Sequence, residues 1–180
     1  MERLRWVAVL IAFIWGIEVL NLLTGRALNG WLGLIPRSFS GLDGVVFAPV
    51  LHGSVSHAAA NTAPLAVLGG LMAVTAPRNA LMATAIIVVL GGTAVWAFGG
   101  TAIHIGASGL IFGWFGFLVA RGLVEKQALP LFVSAGVFLF YGAMIWGVLP
   151  GQDGVSWESH LFGALAGIAA AVLLRRRLET

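Results

Sequence analysis

Six apolar stretches, near residues 6–24, 56–76, 80–98, 107–124, 129–149 and 158–174, are each long enough to cross the hydrocarbon of a bilayer as a helix. A segment in lipid must satisfy its own backbone hydrogen bonds, so a chain built from such stretches folds as a helical bundle. The expected fold class is all-α: a polytopic membrane protein with six transmembrane helices. Composition agrees, since 59% of the 180 residues are hydrophobic, only 9% are charged and the mean hydropathy is +0.99, outside the range of ordinary soluble domains. No internal repeat, low-complexity run or linker is present, so residues 1–180 are read as a single membrane domain.

Six spans put both termini on one side. Arg3, Arg5, Arg78, Arg121, Lys126, Arg175, Arg176 and Arg177 fall on that side and only Arg26 and Arg37 on the other, so the positive-inside rule makes both termini cytoplasmic. The first apolar run is long for a signal peptide and lacks a small-residue cleavage site, which makes it a retained anchor. The outer side then holds three connections, at about 25–55, 99–106 and 150–157. The first, with Trp31, Pro36 and several glycines, is expected to be ordered and to lie partly in the interface. The net charge of +3 sits beside apolar segments without a basic, aromatic-interleaved stripe, which favours membrane lipids as partners and excludes nucleic acid. The absence of cysteine removes disulfides, thiolate metal sites and a cysteine nucleophile.

Polar side chains within spans are costly, and here they cluster by depth. His57 and Asn61, four apart, share a helix face at the start of the second span, with His52 just before them. Gly106-Ala107-Ser108-Gly109 opens the fourth span and Ser159-His160 the sixth. At ~1.5 Å per residue, Ser108 lies about 20 Å above Arg121 and His160 about 22 Å above Arg175. In hydrocarbon ~30 Å thick, both sit about 8–10 Å below the outer surface, which predicts a water-accessible cavity. Gly109 with Gly113, and Gly163 with Gly167, form small-xxx-small pairs that let the two helices approach and carry His160 toward Ser108. That is the geometry a serine hydrolase requires.

Each of these residues alone has a plainer explanation. A lone intramembrane serine is most often a packing residue, His57 and Asn61 could bond between helices, and His160 could pack or relay protons. His104 has no evident partner and is taken as an interfacial loop residue. Glu18 and Asn21, three apart, are assigned a structural role facing the second helix or the first outer loop, and Pro64 is expected to kink the second helix. The soluble nucleophile elbow does not fit, because Leu110 stands where it requires glycine. No metal-ligand spacing such as His-Glu-x-x-His occurs.

Together the residues resemble the rhomboid family of intramembrane serine proteases. The resemblance rests on His52-x4-His57-x3-Asn61 in the second span, Gly106-x-Ser108-Gly109 in the fourth, His160 followed by Gly163 and Gly167 in the sixth, and the Gly69-Gly70 pair. It covers the whole six-helix core. It implies a dyad of Ser108 and His160, with neither Glu158 nor Asp153 placed to orient the histidine. It implies an oxyanion site made of the Ser108 N–H with the side chains of His57 and Asn61, Phe112 against His160, and a supporting role for His52. No cofactor is implied. The corresponding activity is endoproteolysis of transmembrane protein substrates near the outer face, after lateral entry and local unwinding. The alternative is a catalytically silent rhomboid-like protein that binds membrane helices. A proton-coupled transporter using His57, His104 and His160 would need a polar path, and the cytoplasmic halves of the spans are almost wholly apolar. Short arginine-rich ends and minimal loops point to a prokaryotic plasma membrane.

Overall fold

A computed structural model describes residues 2–152 and 154–175. Asp153, Arg176 and Arg177, named above, lie outside the described residues.

The described chain is helical, without a named strand. Helix α1 (Glu2–Leu23) leads into a connection containing α2 (Ala27–Leu32), a 3₁₀ turn at Phe39–Gly41, α3 (Gly44–Phe47) and a second 3₁₀ turn at Ala48–Val50. Then follow α4 (Val55–Thr75), α5 (Ala80–Ile86), a π-helical segment Ile87–Gly91, α6 (Gly92–Phe98), α7 (Ser108–Glu125), α8 (Ala128–Tyr141) with a 3₁₀ extension Gly142–Val148, and α9 (Trp157–Leu173). Five helices are long and apolar enough to cross a membrane: Glu2–Leu23, Val55–Thr75, Ala80–Phe98, Ser108–Glu125 and Ala128–Val148. Helix α9 is apolar and shorter. Helix α4 runs uninterrupted through Pro64 from its cap at Ser54, whose Oγ accepts from the His57 N–H at 3.0 Å.

Helix α7 is the axis of the bundle: 67% of its apolar window is buried inside the protein, against 22% for α1, for Ala80–Phe98 and for Ala128–Val148. Small residues let its neighbours close on it. A Cβ on Gly163 would overlap the Gly109 carbonyl, and one on Gly167 the Gly113 carbonyl, so α7 and α9 meet backbone to backbone. A Cβ on Gly113 would also collide with Ile87, the first residue of the π segment. Gly69 makes room for Trp114, which stands 2.9 Å from where a Cβ would lie, and the Trp114 Nε1–H donates to Thr84 Oγ1 at 2.9 Å.

Arg121, near the C-terminal end of α7, is buried. It is 9% exposed, pairs with Glu125 at 2.8 Å, and donates from Nη1 to the Thr75 carbonyl at 2.7 Å, capping the last turn of α4. Near the other end of the bundle, Glu18 pairs with Arg26 at 2.8 Å. The Asn21 Nδ2–H donates to Asn29 Oδ1 at 2.7 Å and to the His52 carbonyl at 3.3 Å. Arg26 Nη1 and Asn29 Nδ2 converge on that same carbonyl at 2.8 and 3.1 Å. The pair on α1 thus anchors the first connection, the structural role expected of it. Further along, that connection is tied to the segment before α7: Leu34 and His104 exchange backbone bonds at 3.1 and 2.9 Å, and the Gly106 N–H donates to the Ala48 carbonyl at 2.9 Å.

Candidate active site

A cavity of about 990 Å³ opens at the end of the bundle where α7 and α9 begin. His57, Asn61 and Pro64 of α4, Ser108 and Phe112 of α7, and His160 of α9 all line it. Three helices distant in sequence therefore deliver their polar residues to one space, as the depth argument requires.

Ser108 is the first residue of α7, so its backbone N–H is among those with no partner inside the helix, at the positive end of the helix dipole. The chain reaches it through Gly106, whose φ of +121° a side chain rarely adopts. A Cβ there would lie 2.8 Å from His57 Cε1, 3.0 Å from His57 Nε2 and 3.8 Å from Ser108 Oγ, so the imidazole and the hydroxyl flank one glycine.

His160 is 8% exposed, and Phe112 stacks on its ring with centroids 4.1 Å apart and planes within 4°. Its Nδ1 lies 2.8 Å from the Gly147 carbonyl. A carbonyl only accepts, so Nδ1 carries the proton and the neutral ring keeps its lone pair on Nε2. Gly147 was not apparent from the sequence, where it is one glycine in an apolar run. It leaves room for both rings: a Cβ there would lie 2.8 Å from Phe112 Cζ and 3.2 Å from His160 Nδ1.

His52 lies behind this surface, fully buried. Its Nε2 accepts from Asn61 Nδ2 at 3.0 Å and from the Ala107 N–H at 3.4 Å, which places its own proton on Nδ1. Burial, followed by the neighbouring His57, lowers its pKa to about 4. One of the two Asn61 amide hydrogens is thus held by His52, and the other is left for the cavity. Gly109 lies against Ser159, whose carbonyl is 3.2 Å from a Cβ built there.

His104 departs from the reading of a partnerless loop residue. It is 4% exposed, with Nδ1 2.6 Å from Ser156 Oγ and Nε2 3.2 Å from the Gly100 carbonyl. Glu158 accepts from the Gly100 N–H at 3.1 Å, while His160 Nδ1 has the Gly147 carbonyl as its hydrogen-bond partner.

The chain matches the family model of the Rhomboid domain over residues 40–177. Uncharacterized proteins of Mycobacterium bovis and Mycobacterium tuberculosis are each 42% identical over 188 residues, covering 96% of this chain and 78% of theirs. One from Mycobacterium leprae is 38% identical over 189 residues, covering 96% and 74%. A family match over most of the chain, relatives aligned along nearly all of it, and an all-helical bundle with several membrane-length apolar helices lead to one conclusion: the chain is an integral membrane protein of the rhomboid family.

Proposed function

We propose that this protein is an intramembrane serine endopeptidase that hydrolyses transmembrane substrates near the outer membrane face through a dyad of Ser108 and His160. The observation that carries the reading is the convergence of Ser108, His160, His57 and Asn61 on one cavity. In the reaction, His160 Nε2 takes the Ser108 proton as Oγ attacks the substrate carbonyl. The oxyanion receives hydrogen bonds from the Ser108 N–H, the free Asn61 amide hydrogen and a His57 ring N–H. Collapse expels the amine, which takes the proton from His160. Water, deprotonated by the same nitrogen, then hydrolyses the acyl ester and restores Ser108.

The substrate enters laterally. A lipid-facing apolar groove between α4 and α8, lined by Val67, Leu71, Phe132 and Phe140, shares Tyr141 with the catalytic cavity and supports this route. A substrate helix must unwind before its carbonyls are free, which favours segments with small or helix-breaking residues. The proposal includes six spans within a single domain, cytoplasmic termini and a prokaryotic plasma-membrane location. Helix α9, apolar and with its first turn lining the cavity, is assigned as the short sixth span.

The test is cleavage of a transmembrane substrate by purified protein in liposomes, with Ser108→Ala and His160→Ala at equal folded amounts. Both substitutions are expected to lower kcat by about 10⁴-fold or more. Cleavage that survives Ser108→Ala would sink the mechanism, and an inert wild type that still binds the substrate would establish the catalytically silent alternative.

A further inference from the structure

The segment leading into Ser108 and the first turn of the helix bearing His160 are joined by side chains that the proposed reaction does not use. Ser156 is the N-cap of α9, its Oγ accepting from the Ser159 N–H at 3.2 Å. The same oxygen lies 2.6 Å from Ser159 Oγ and 2.6 Å from His104 Nδ1. His104 Nε2 reaches the Gly100 carbonyl, and the N–H of Gly100 reaches Glu158. Two side chains of α9's cap and first turn, Ser156 and Glu158, therefore grip residues 100–104, with Ser159 bonded to Ser156 behind them.

The direction of each bond follows from its ends. The Gly100 carbonyl can only accept, so in the neutral ring His104 Nε2 carries the hydrogen and Nδ1 accepts. Ser156 O–H then donates to Nδ1, and its oxygen is left to accept both the N–H and the O–H of Ser159. The chain runs Ser159, Ser156, His104, Gly100 with every hydrogen used. It joins Ser159, whose neighbour is His160, to His104, which precedes Ser108 by four residues.

We infer that His104, Ser156 and Ser159 form a positioning clasp that sets the placement of His160 against Ser108. This deepens the protease reading and rests on it. The Gly109–Ser159 backbone contact limits how closely the two first turns approach but does not stop α9 from sliding or rotating across it. The clasp opposes those motions, because its bonds run across the seam from one loop to one helix cap. A misplacement of about 1 Å is enough to cost about a hundredfold in rate.

His104→Ala and Ser156→Ala should each lower kcat for a transmembrane substrate by about ten- to a hundredfold with KM within about twofold, the pattern of lost transition-state geometry. The two conservative variants of His104 separate the arms. Asparagine presents an amide oxygen where Nδ1 stands and should recover part of the loss; glutamine reaches toward Gly100 instead and should not. Ser156→Thr, which keeps the hydroxyl, should also recover part. Melting in detergent, measured on the same set, should not follow the kcat series. Equal recovery by asparagine and glutamine, or losses of kcat that track melting temperature, would show a purely structural bond and overturn the clasp. Wild-type activity in His104→Ala would overturn it and leave the protease reading standing, whereas wild-type protein that neither cleaves nor reacts with a fluorophosphonate at Ser108 would overturn both.

Discussion

The two ends of α7 solve opposite problems with polar residues. At its C-terminal end, Arg121 is closed on all sides: Glu125 takes Nε and Nη2, and the Thr75 carbonyl takes Nη1. At its N-terminal end, the Ser108 N–H, the lone pair of His160 Nε2 and one hydrogen of Asn61 are left to a cavity of about 990 Å³. A polar group whose bonds are all made inside the protein holds structure, while one aimed into a cavity with capacity to spare is available for chemistry. The difference lies in the pairing, since both ends are buried and both carry ionisable residues.

That contrast can be broken from either end. Arg121→Ala leaves the Glu125 carboxylate buried and alone, and should cost about 3–5 kcal/mol of stability in detergent unfolding, with cleavage per folded molecule unchanged. A loss of kcat at intact stability would place Arg121 in the reaction and dissolve the distinction. Asn61→Ala should behave in reverse, lowering kcat by about 10²–10³-fold, or about 2.7–4 kcal/mol, with less effect on melting than Arg121→Ala.

His52 lies between these cases, buried but one bond from the cavity. Its pKa, about 4 when folded, lies below the ordinary 6.5, so its contribution to stability is complete above pH 6.5 and is lost as the pH falls toward 4. Melting temperature should drop across that window, and drop less in His52→Gln; superimposable curves would remove His52 from the acid response. The smallest effect belongs to Phe112→Leu, which removes the stack on His160 and should cost about 0.5–1.5 kcal/mol, read as a modest fall in kcat.

The bundle was legible because its signal is repeated and local: a run of apolar residues long enough to cross lipid announces a helix whatever surrounds it. Most helix ends fall within a residue or two of the predicted stretches; α1 begins earlier, at Glu2, because nothing in its basic start breaks a helix. Ser108, His160, His57 and Asn61 could be singled out because polar residues are conspicuous in such a background, and depth follows from counting. Partnerships over long separations left no trace. His104 looked solitary because Ser156 lies 52 positions away, Gly147 acts through a carbonyl that every residue possesses, and Arg121 was counted for its side of the membrane without its pairing to Glu125. The π segment at Ile87–Gly91 likewise answers to the packing of Ile87 over Gly113, a tertiary demand with no counterpart in local pattern.

The glycine seam between α7 and α9 makes the spacing of the two helices a one-sided variable. With Gly163 and Gly167 lying directly on the backbone of α7, no substitution at either position can bring the helices nearer, and every substitution pushes them apart. Drift elsewhere in the bundle can exchange one apolar side chain for another of similar volume, but the gap at this seam is set by main-chain radii, which mutation cannot shorten. The separation of Ser108 from His160 therefore starts from a hard floor, and selection has only to guard against its increase.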